Sequence, residues 1–528
     1  MRSTTPLFHG PAPGRHFTRC ARITAAVAMA LLAACQQLPV QGPGPTGVDA
    51  PGKTPPPAAA PASAPLLWDA VSPQEPGSTG LAQAMPVVPP PPADLWSRLR
   101  RGMQLAEPGG AARVLTDQHE RWYRSHAAHM TRTFTRARLY LFDIVEAVER
   151  QGMPLEIALL PAVESAFMPE ARSQAAAEGL WQFIAPTARR FDLKLHLFQD
   201  DRRAVRAATQ AALRYLDELQ RRYAGDYLLA LAAYNCGEGC IDQAVQRARA
   251  RGLPGRFEDL KLNPETAAYV PRLLGLVRVV AQAVDSGDLA SAGLPAMANA
   301  AYFVAVPIQR DIDVARAAEL AGLSLTEFRA LNPQHKRPVI VAAATAEVLV
   351  PVEREARFVE AMLNYRGPLA SWGAATVPRR TSVDALAQRH GIEPQALREA
   401  NQIPPGHLVG AGSTVVVPRA ETAPDITASQ AQAATLATVP AMVRRAVQVL
   451  RKDTWASLSA RLGVTPLQLR GWNPLLRSLR RGRNELTLPV TVAERLAEAP
   501  PTGAATSAAP RRGHPSQRPR HHPRGAHP

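Results

Sequence analysis

Three ten-residue stretches in the C-terminal half of this chain align without a gap: Leu323-Ser-Leu-Thr-Glu-Phe-Arg-Ala-Leu-Asn332, Ile392-Glu-Pro-Gln-Ala-Leu-Arg-Glu-Ala-Asn401 and Val464-Thr-Pro-Leu-Gln-Leu-Arg-Gly-Trp-Asn473. An internal repeat constrains a fold strongly, because each copy must be one small unit of packed structure. A short helical pattern precedes each stretch and ends in Gly322, Gly391 or Gly463. Glycine there suits a helix C-cap, where φ must be positive. Downstream of each lies a β-like run closed by proline: Val348-Leu-Val-Pro351, Val415-Val-Val-Pro418 and Leu486-Thr-Leu-Pro489. Further β-like runs, ending near Val377 and Val449, precede the second and third units. The unit therefore reads strand–helix–helix–strand.

This unit resembles the LysM module, which binds polymers containing N-acetylglucosamine. The opening turn of that family is Gly-Asp-Thr-Leu. The matching positions here are Arg380-Thr381-Ser382-Val383 and Lys452-Asp453-Thr454-Trp455, so the glycine is lost in both. The resemblance implies the fold, while glycan binding and mere packing both stay open for the last two units. The first unit, around 302–351, is the most divergent and reads as a structural spacer.

At 528 residues the chain is too long for one domain. Its 50 prolines concentrate between residues 39 and 92 and after Pro500, which marks those stretches as non-globular. The net charge of +17 suits a polyanionic neighbour such as nucleic acid, an anionic membrane surface or a cell wall with peptide carboxylates. No aromatic motif supports nucleic acid. The basic tail, from Arg511, reads as a solvated disordered segment.

Residues 2–22 carry Arg2, Arg15, Arg19 and Arg22 and no acid, and the apolar run Ile23 to Ala34 follows. That run is too short to span a bilayer but fits a secretory signal. It ends Leu32-Ala33-Ala34-Cys35, which resembles a bacterial lipobox. The resemblance implies a lipid on Cys35, and Gln36 after it favours the outer membrane and a periplasmic enzyme. An ordinary signal peptide with an incidental cysteine is the other reading.

Residues 136–285 read as helical nearly throughout. Leu141, Ile144, Val145 and Val148 form a helical stripe, and Gly152 followed by Pro154 marks a stop and a start. Pro161 should kink or restart the next helix. Arg206 to Arg222 and Tyr227 to Tyr234 are further helical runs. Glu164 stands in an apolar stretch among Leu159, Leu160, Ala162, Val163, Ala166 and Phe167. Burial would raise its pKa and keep it protonated, the state a general acid needs. On this segment alone, an ion pair with one of the many arginines is the commoner explanation.

Three clusters downstream change that balance: Gly179-Leu-Trp-Gln182, Ala233-Tyr-Asn235, and Tyr269 within Pro264-Glu-Thr-Ala-Ala-Tyr-Val-Pro271. Together with Glu164-Ser165 they resemble the ordered motifs of the glycoside hydrolase family 23 lytic transglycosylases. Pro161-Ala-Val-Glu-Ser-Ala-Phe167, Glu265 to Leu274 and Asp94 to Gln104 look like the D-type branch of the membrane-bound lytic murein transglycosylases. Ala176 replaces a usual glycine, and Cys236 replaces a usual small residue.

The resemblance implies an α+β, mainly α chain: a lysozyme-like helical catalytic domain followed by small βααβ LysM-like modules. The expected boundaries are 1–34 lipoprotein signal peptide, 35–93 Pro/Ala-rich disordered tether, 94–135 N-terminal helical segment and 136–285 transglycosylase domain. Then come 300–352, a degenerate LysM-like unit, 375–419 and 445–490, LysM, and 500–528, a basic tail. The resemblance further implies cleavage of the MurNAc-β-1,4-GlcNAc bond of peptidoglycan with 1,6-anhydro ends. Glu164 would serve as sole acid and then base. Ser165, Trp181, Gln182, Tyr234, Asn235 and Tyr269 would bind substrate, and no metal or cofactor is implied. Glu156, Glu170 and Glu178 are close in sequence but fall on no motif position. Water instead of the sugar's own C6 hydroxyl is the competing fate of the cation. Cys236 and Cys240 leave two alternatives open, a disulfide or two free thiols.

Overall fold

The computed structural model describes residues 94–345 and 347–498. The signal segment 1–34, Cys35, the tether 35–93 and the tail 500–528 lie outside the described residues.

Among the described residues, ten helices build the first part: α1 (Leu95–Arg101), α2 (Gly110–Ser125), α3 (Ala127–Ala137), α4 (Leu141–Arg150), α5 (Leu160–Glu164), α6 (Ala185–Arg190), α7 (Val205–Arg222), α8 (Tyr227–Cys236), α9 (Glu238–Arg249) and α10 (Pro264–Ser286). Their starts have local causes. Asp94 caps α1 through Ser97 N, Asp226 caps α8 through Leu228 N and Leu229 N, and Asn263 caps α10 through Thr266 N. Pro161 restarts the chain as expected: a 3₁₀ turn at Leu155–Leu159 gives way to α5 with proline in its first turn.

α10 is long and apolar enough to cross a membrane, yet its buried residues, among them Tyr269, Val270, Leu273, Leu274 and Leu276, belong to the protein core. The N-terminal helices share that core. Trp96 meets Phe134 edge-on at 5.0 Å, and Phe134 lies 6.1 Å from Phe167, three residues beyond Glu164.

The expectation of near-continuous helix over 136–285 needs correction. Residues 165–184 and 191–204 are irregular loops crossed by isolated bridges. They hold each other through arginines. Arg202 grips Asp200 with two hydrogen bonds and donates to Ala176 O (2.9 Å) and Phe183 O (3.3 Å). Arg203 pairs with Glu178. Guanidinium groups thus satisfy carbonyls that a helix would have satisfied internally.

The repeats fold as strand–helix–helix–strand. Phe303–Pro307 pairs antiparallel with Glu347–Pro351, Trp372–Thr376 with Thr414–Pro418, and Met442–Val449 with Gly482–Pro489. The opening strands of the second and third units thus begin at Trp372 and Met442, ahead of the expected 375 and 445. Gly322, Gly391 and Gly463 close the first helices at φ +66, +60 and +66. Each repeated asparagine does one job. Asn401 Nδ2 donates to Leu397 O and Val416 O, and its Oδ1 accepts from Val416 N. Asn332 and Asn473 repeat the pattern on Leu349 and Thr487. The side chain ties the second helix to the closing strand where no backbone partner exists. Removing it leaves buried backbone groups unpaired. Asn401→Ala should destabilise the second unit by about 2 kcal/mol, seen as faster hydrogen exchange over residues 372–418.

The first unit is more than the spacer its divergent sequence implies. Phe303, Leu331 and Leu349 join the helical core. The loop at 194–202 reaches into it: Asp200 N donates to Gln334 O, Lys336 N to Phe198 O, and Lys194 Nζ to Ala344 O. Leu197 and Phe198 are buried against Val339, Val341 and Val416, the last from the second unit.

Candidate active site

Glu164 ends α5, and the next two residues after Ser165 turn sharply: Ala166 and Phe167 have φ +50 and +55. Non-glycine residues in that region are uncommon and strained, and such strain collects at functional sites. Here it is held by Phe167 N and Ser165 N, both donating to Pro161 O, and by Arg136 Nε donating to Ala166 O.

The turn leaves Glu164 partly open to a cleft of about 540 Å³. Among the described residues that line it, Glu164 is the one acid; Ser165, Gln182, Met168, Arg172, Ser173 and Arg272 border it too, as do Trp122, His119, Tyr123 and His129. Burial raises Glu164 from its ordinary 4.5 to about 7, against the opposing pull of the Tyr269 hydrogen bond and the Arg272 charge. The Tyr269 hydroxyl donates to Glu164 Oε1. Tyr269 is buried and its own pKa is pushed well above 10 by desolvation and then by Glu164, so it stays a donor.

The nearby acids are occupied elsewhere. Glu178 is buried between Arg203, Arg202 and Arg172, and Glu156 accepts from Leu105 N. Glu265 is close enough to raise Glu164 but does not border the cleft.

The other motif residues divide into two groups. Gln182 borders both the main cleft and a second cavity of about 230 Å³, whose walls include Asn235 and Tyr234. Gln182 Nε2 is held by Gly179 O (2.8 Å) and Ala171 O, which leaves its carbonyl oxygen for a ligand. Asn235 Oδ1 accepts from Thr266 Oγ1 at 2.8 Å, which leaves its amide N–H groups.

Trp181 departs from the expected sugar contact. Its indole is fully buried and donates to Thr209 Oγ1 at 2.9 Å, so it supports the loop from below. Ser165 and Tyr234 act on the same loop. Ser165 Oγ donates towards Pro161 O and Leu180 O, and the Tyr234 hydroxyl donates to Trp181 O at 2.8 Å. The motif residues therefore shape the segment 179–183 as much as they face the cleft. Ala176 sits at φ +58, which explains why glycine suits that position in the related motif.

The open question at the α8–α9 junction is resolved: Cys236 and Cys240 form a disulfide, with Cα atoms 5.9 Å apart. It staples the chain beside Asn235.

The motif reading missed Arg272, one turn after Tyr269 on α10, and the aromatic wall from α2 and α3. The three-residue step from Tyr269 to Arg272 was a usable signal, since helical neighbours at that spacing share a face.

Known protein families account for most of this arrangement. The Transglycosylase SLT domain matches residues 144–253. The lytic transglycosylase MltD LysM-like domain matches 302–365, and the LysM domain matches 382–418. The membrane-bound lytic murein transglycosylase D of Escherichia coli strain K12 is 30% identical over 344 residues, which cover 61% of this chain and 74% of that protein. The chain belongs to that family. The same protein from Escherichia coli O6:H1 aligns equally. A solved inactive mutant of the lytic transglycosylase Slt from Pseudomonas aeruginosa is 26% identical; the match covers 27% of this chain and 24% of that one, with a TM-score of 0.24. Membership makes the helical module that of a lytic transglycosylase. The divergent first unit at 302–365 is a LysM-like domain characteristic of the family.

Proposed function

We propose that this chain cleaves the MurNAc-β-1,4-GlcNAc bond of peptidoglycan and closes the product as a 1,6-anhydro sugar, with Glu164 as acid and then base. Peptidoglycan as the polymer follows from the family and from the LysM units. The observation that carries the mechanism is the single carboxylate in the cleft. Most glycosidases that use water pair two carboxylates across the bond. One acid must serve twice, and the substrate must supply the second group.

Glu164, neutral up to about pH 7, gives its proton to the glycosidic oxygen. The C1–O bond breaks with its electron pair on that oxygen. The N-acetyl carbonyl of MurNAc meets the positive charge at C1. Glu164 is now a carboxylate, stabilised by the Tyr269 hydroxyl and the Arg272 charge. It takes the proton from the C6 hydroxyl, and the C6 oxygen bonds to C1. Glu164 ends protonated as it began, and no water is consumed. Gln182 and Asn235 offer a carbonyl oxygen and amide N–H groups to the sugar substituents. Ser165, Trp181 and Tyr234 hold the loop that carries Gln182.

A raised acid sets a pH limit. kcat/KM should fall about tenfold per pH unit above 7 as Glu164 ionises. The Tyr269 hydrogen bond lowers the Glu164 pKa, so Tyr269→Phe should move this limb to higher pH. A limb unmoved by Tyr269→Phe assigns the titration to another group. Mass analysis of digested peptidoglycan tests the product: anhydro-muropeptides support the reading, and reducing ends overturn it.

Relation to a membrane-bound family supports a membrane-associated periplasmic enzyme. The Leu32-Ala33-Ala34-Cys35 sequence supports anchoring to the outer membrane through a lipid on Cys35. Metabolic labelling with a palmitate analogue, lost in Cys35→Ser, would test it.

A further inference from the structure

The sequence motifs build one wall of the cleft. A further part of its lining comes from α2 and α3, N-terminal to the stretch matched by the Transglycosylase SLT domain. Its central feature is Trp122 on α2, a residue 42% exposed, while Trp96 and Trp181 are fully buried. A single exposed apolar side chain is ordinary on a protein surface; what sets Trp122 apart is that it borders the cleft that holds Glu164.

The ring is held in place. His126 stacks against it with centroids 4.2 Å apart and planes 16° from parallel. Tyr123 and His129 meet it edge-on at 5.2 and 5.3 Å. His126 Nδ1 lies 2.7 Å from Trp122 O, which locks the stack to the helix. This rigid aromatic surface borders the same cleft as Glu164 and Met168.

We infer that Trp122 is the platform of a saccharide subsite, taking the apolar face of a pyranose ring in the glycan strand whose neighbouring bond lies at Glu164. The chemistry of the wall fits that ligand. A β-1,4-linked pyranose carries its hydroxyl and N-acetyl groups equatorially, so its axial C–H face is apolar. An indole face covers that surface and meets the weakly positive C–H groups with its negative quadrupole. The polar groups around it suit the ring's edge. His119 and His129 also border the cleft, and burial lowers the pKa of both, which leaves neutral imidazoles that can donate and accept. A mostly apolar concave site with a few convergent polar groups is the usual form of a small-ligand site. The occupant is fixed by continuity: the platform and Glu164 share one cleft. The inference rests on the proposed role of Glu164.

The test is steady-state turnover of a short soluble GlcNAc–MurNAc oligosaccharide by the full chain and by its Trp122 and Glu164 variants. Trp122→Ala should raise KM about tenfold, the usual scale for removing an aromatic anchor, with a much smaller change in kcat and an unmoved alkaline limb. Trp122→Phe keeps a ring and should recover most of the affinity. An unchanged KM in Trp122→Ala overturns the subsite. So does a Trp122→Phe variant as impaired as Trp122→Ala, or a loss confined to kcat, since either assigns the residue to the fold. Should Trp122→Ala melt before assay, Trp122→Phe against Trp122→Leu makes the same comparison between a ring and an aliphatic chain. Glu164→Gln stands apart: turnover retained there defeats the proposed mechanism, whatever the Trp122 variants do.

Discussion

Glu164→Gln should abolish turnover, by about 10³-fold or more, and at the same time make the protein more stable above pH 7. The two effects have one cause. The amide keeps the shape and a donor but carries no transferable proton and cannot become a base. It also removes a carboxyl that folding places in a poor environment for charge. In the folded chain this group holds its proton up to about pH 7, and in the unfolded chain up to about 4.5. Between those values the unfolded chain releases the proton first, so this carboxyl destabilises the fold increasingly as pH rises. The gain in Glu164→Gln should therefore be absent below about pH 4.5 and complete above about 7. Discounted for the side open to the cleft, it should reach on the order of 1–2 kcal/mol. Urea unfolding of wild type and variant at pH 4 and pH 8 reads it directly. A variant less stable at pH 8 would place Glu164 in a structural ion pair, the commoner role for such a residue.

The second large effect is steric. Gly179 opens the Gly-Leu-Trp-Gln segment at φ +85, and a Cβ there would lie 1.8 Å from the Arg202 carbonyl oxygen. Neither the backbone angle nor the neighbour can yield cheaply, because Arg202 is bonded to Asp200 and to the carbonyls of Ala176 and Phe183. Gly179→Ala should cost about 3 kcal/mol or more and reduce turnover at least tenfold by moving the loop that carries Gln182. Ala176→Gly is the control. Its φ of +58 is already one that glycine prefers, so that change should be tolerated or mildly stabilising. Thermal melting and turnover of the two variants side by side check the pair. Equal behaviour would mean that the loop adapts and that the contact with Arg202 is dispensable.

What the sequence made legible follows from how local each cause is. The repeats were readable because their marks have local tasks: a glycine that ends a helix, and an asparagine that ties helix to strand. Glu164 was readable as a candidate from its apolar surroundings, and its partners were readable through an ordered set of motifs. Side-chain direction was not. Trp181 carries an aromatic at a motif position, but only the fold shows that its indole points down to Thr209. Trp122, His119 and Arg272 reach the cleft because α2 packs across α10, and no spacing along the chain states that crossing. The docking of the first LysM-like unit escaped for a similar reason. It depends on Asp200, Gln199 and Phe198 in an irregular loop, where hydrophobic periodicity carries no signal. The disulfide was not legible because it depends on Gly237, which at φ +86 separates the two helices that carry its cysteines.

In the proposed mechanism one carboxyl acts twice and the sugar's own C6 oxygen captures the cation. Purified peptidoglycan digested by wild type and by Glu164→Gln, with the soluble products weighed by mass spectrometry, tests it most directly. Wild type should release 1,6-anhydro-muropeptides and the variant none. Products one water heavier, with reducing ends, would contradict the capture step, and anhydro products from Glu164→Gln would contradict the role of Glu164.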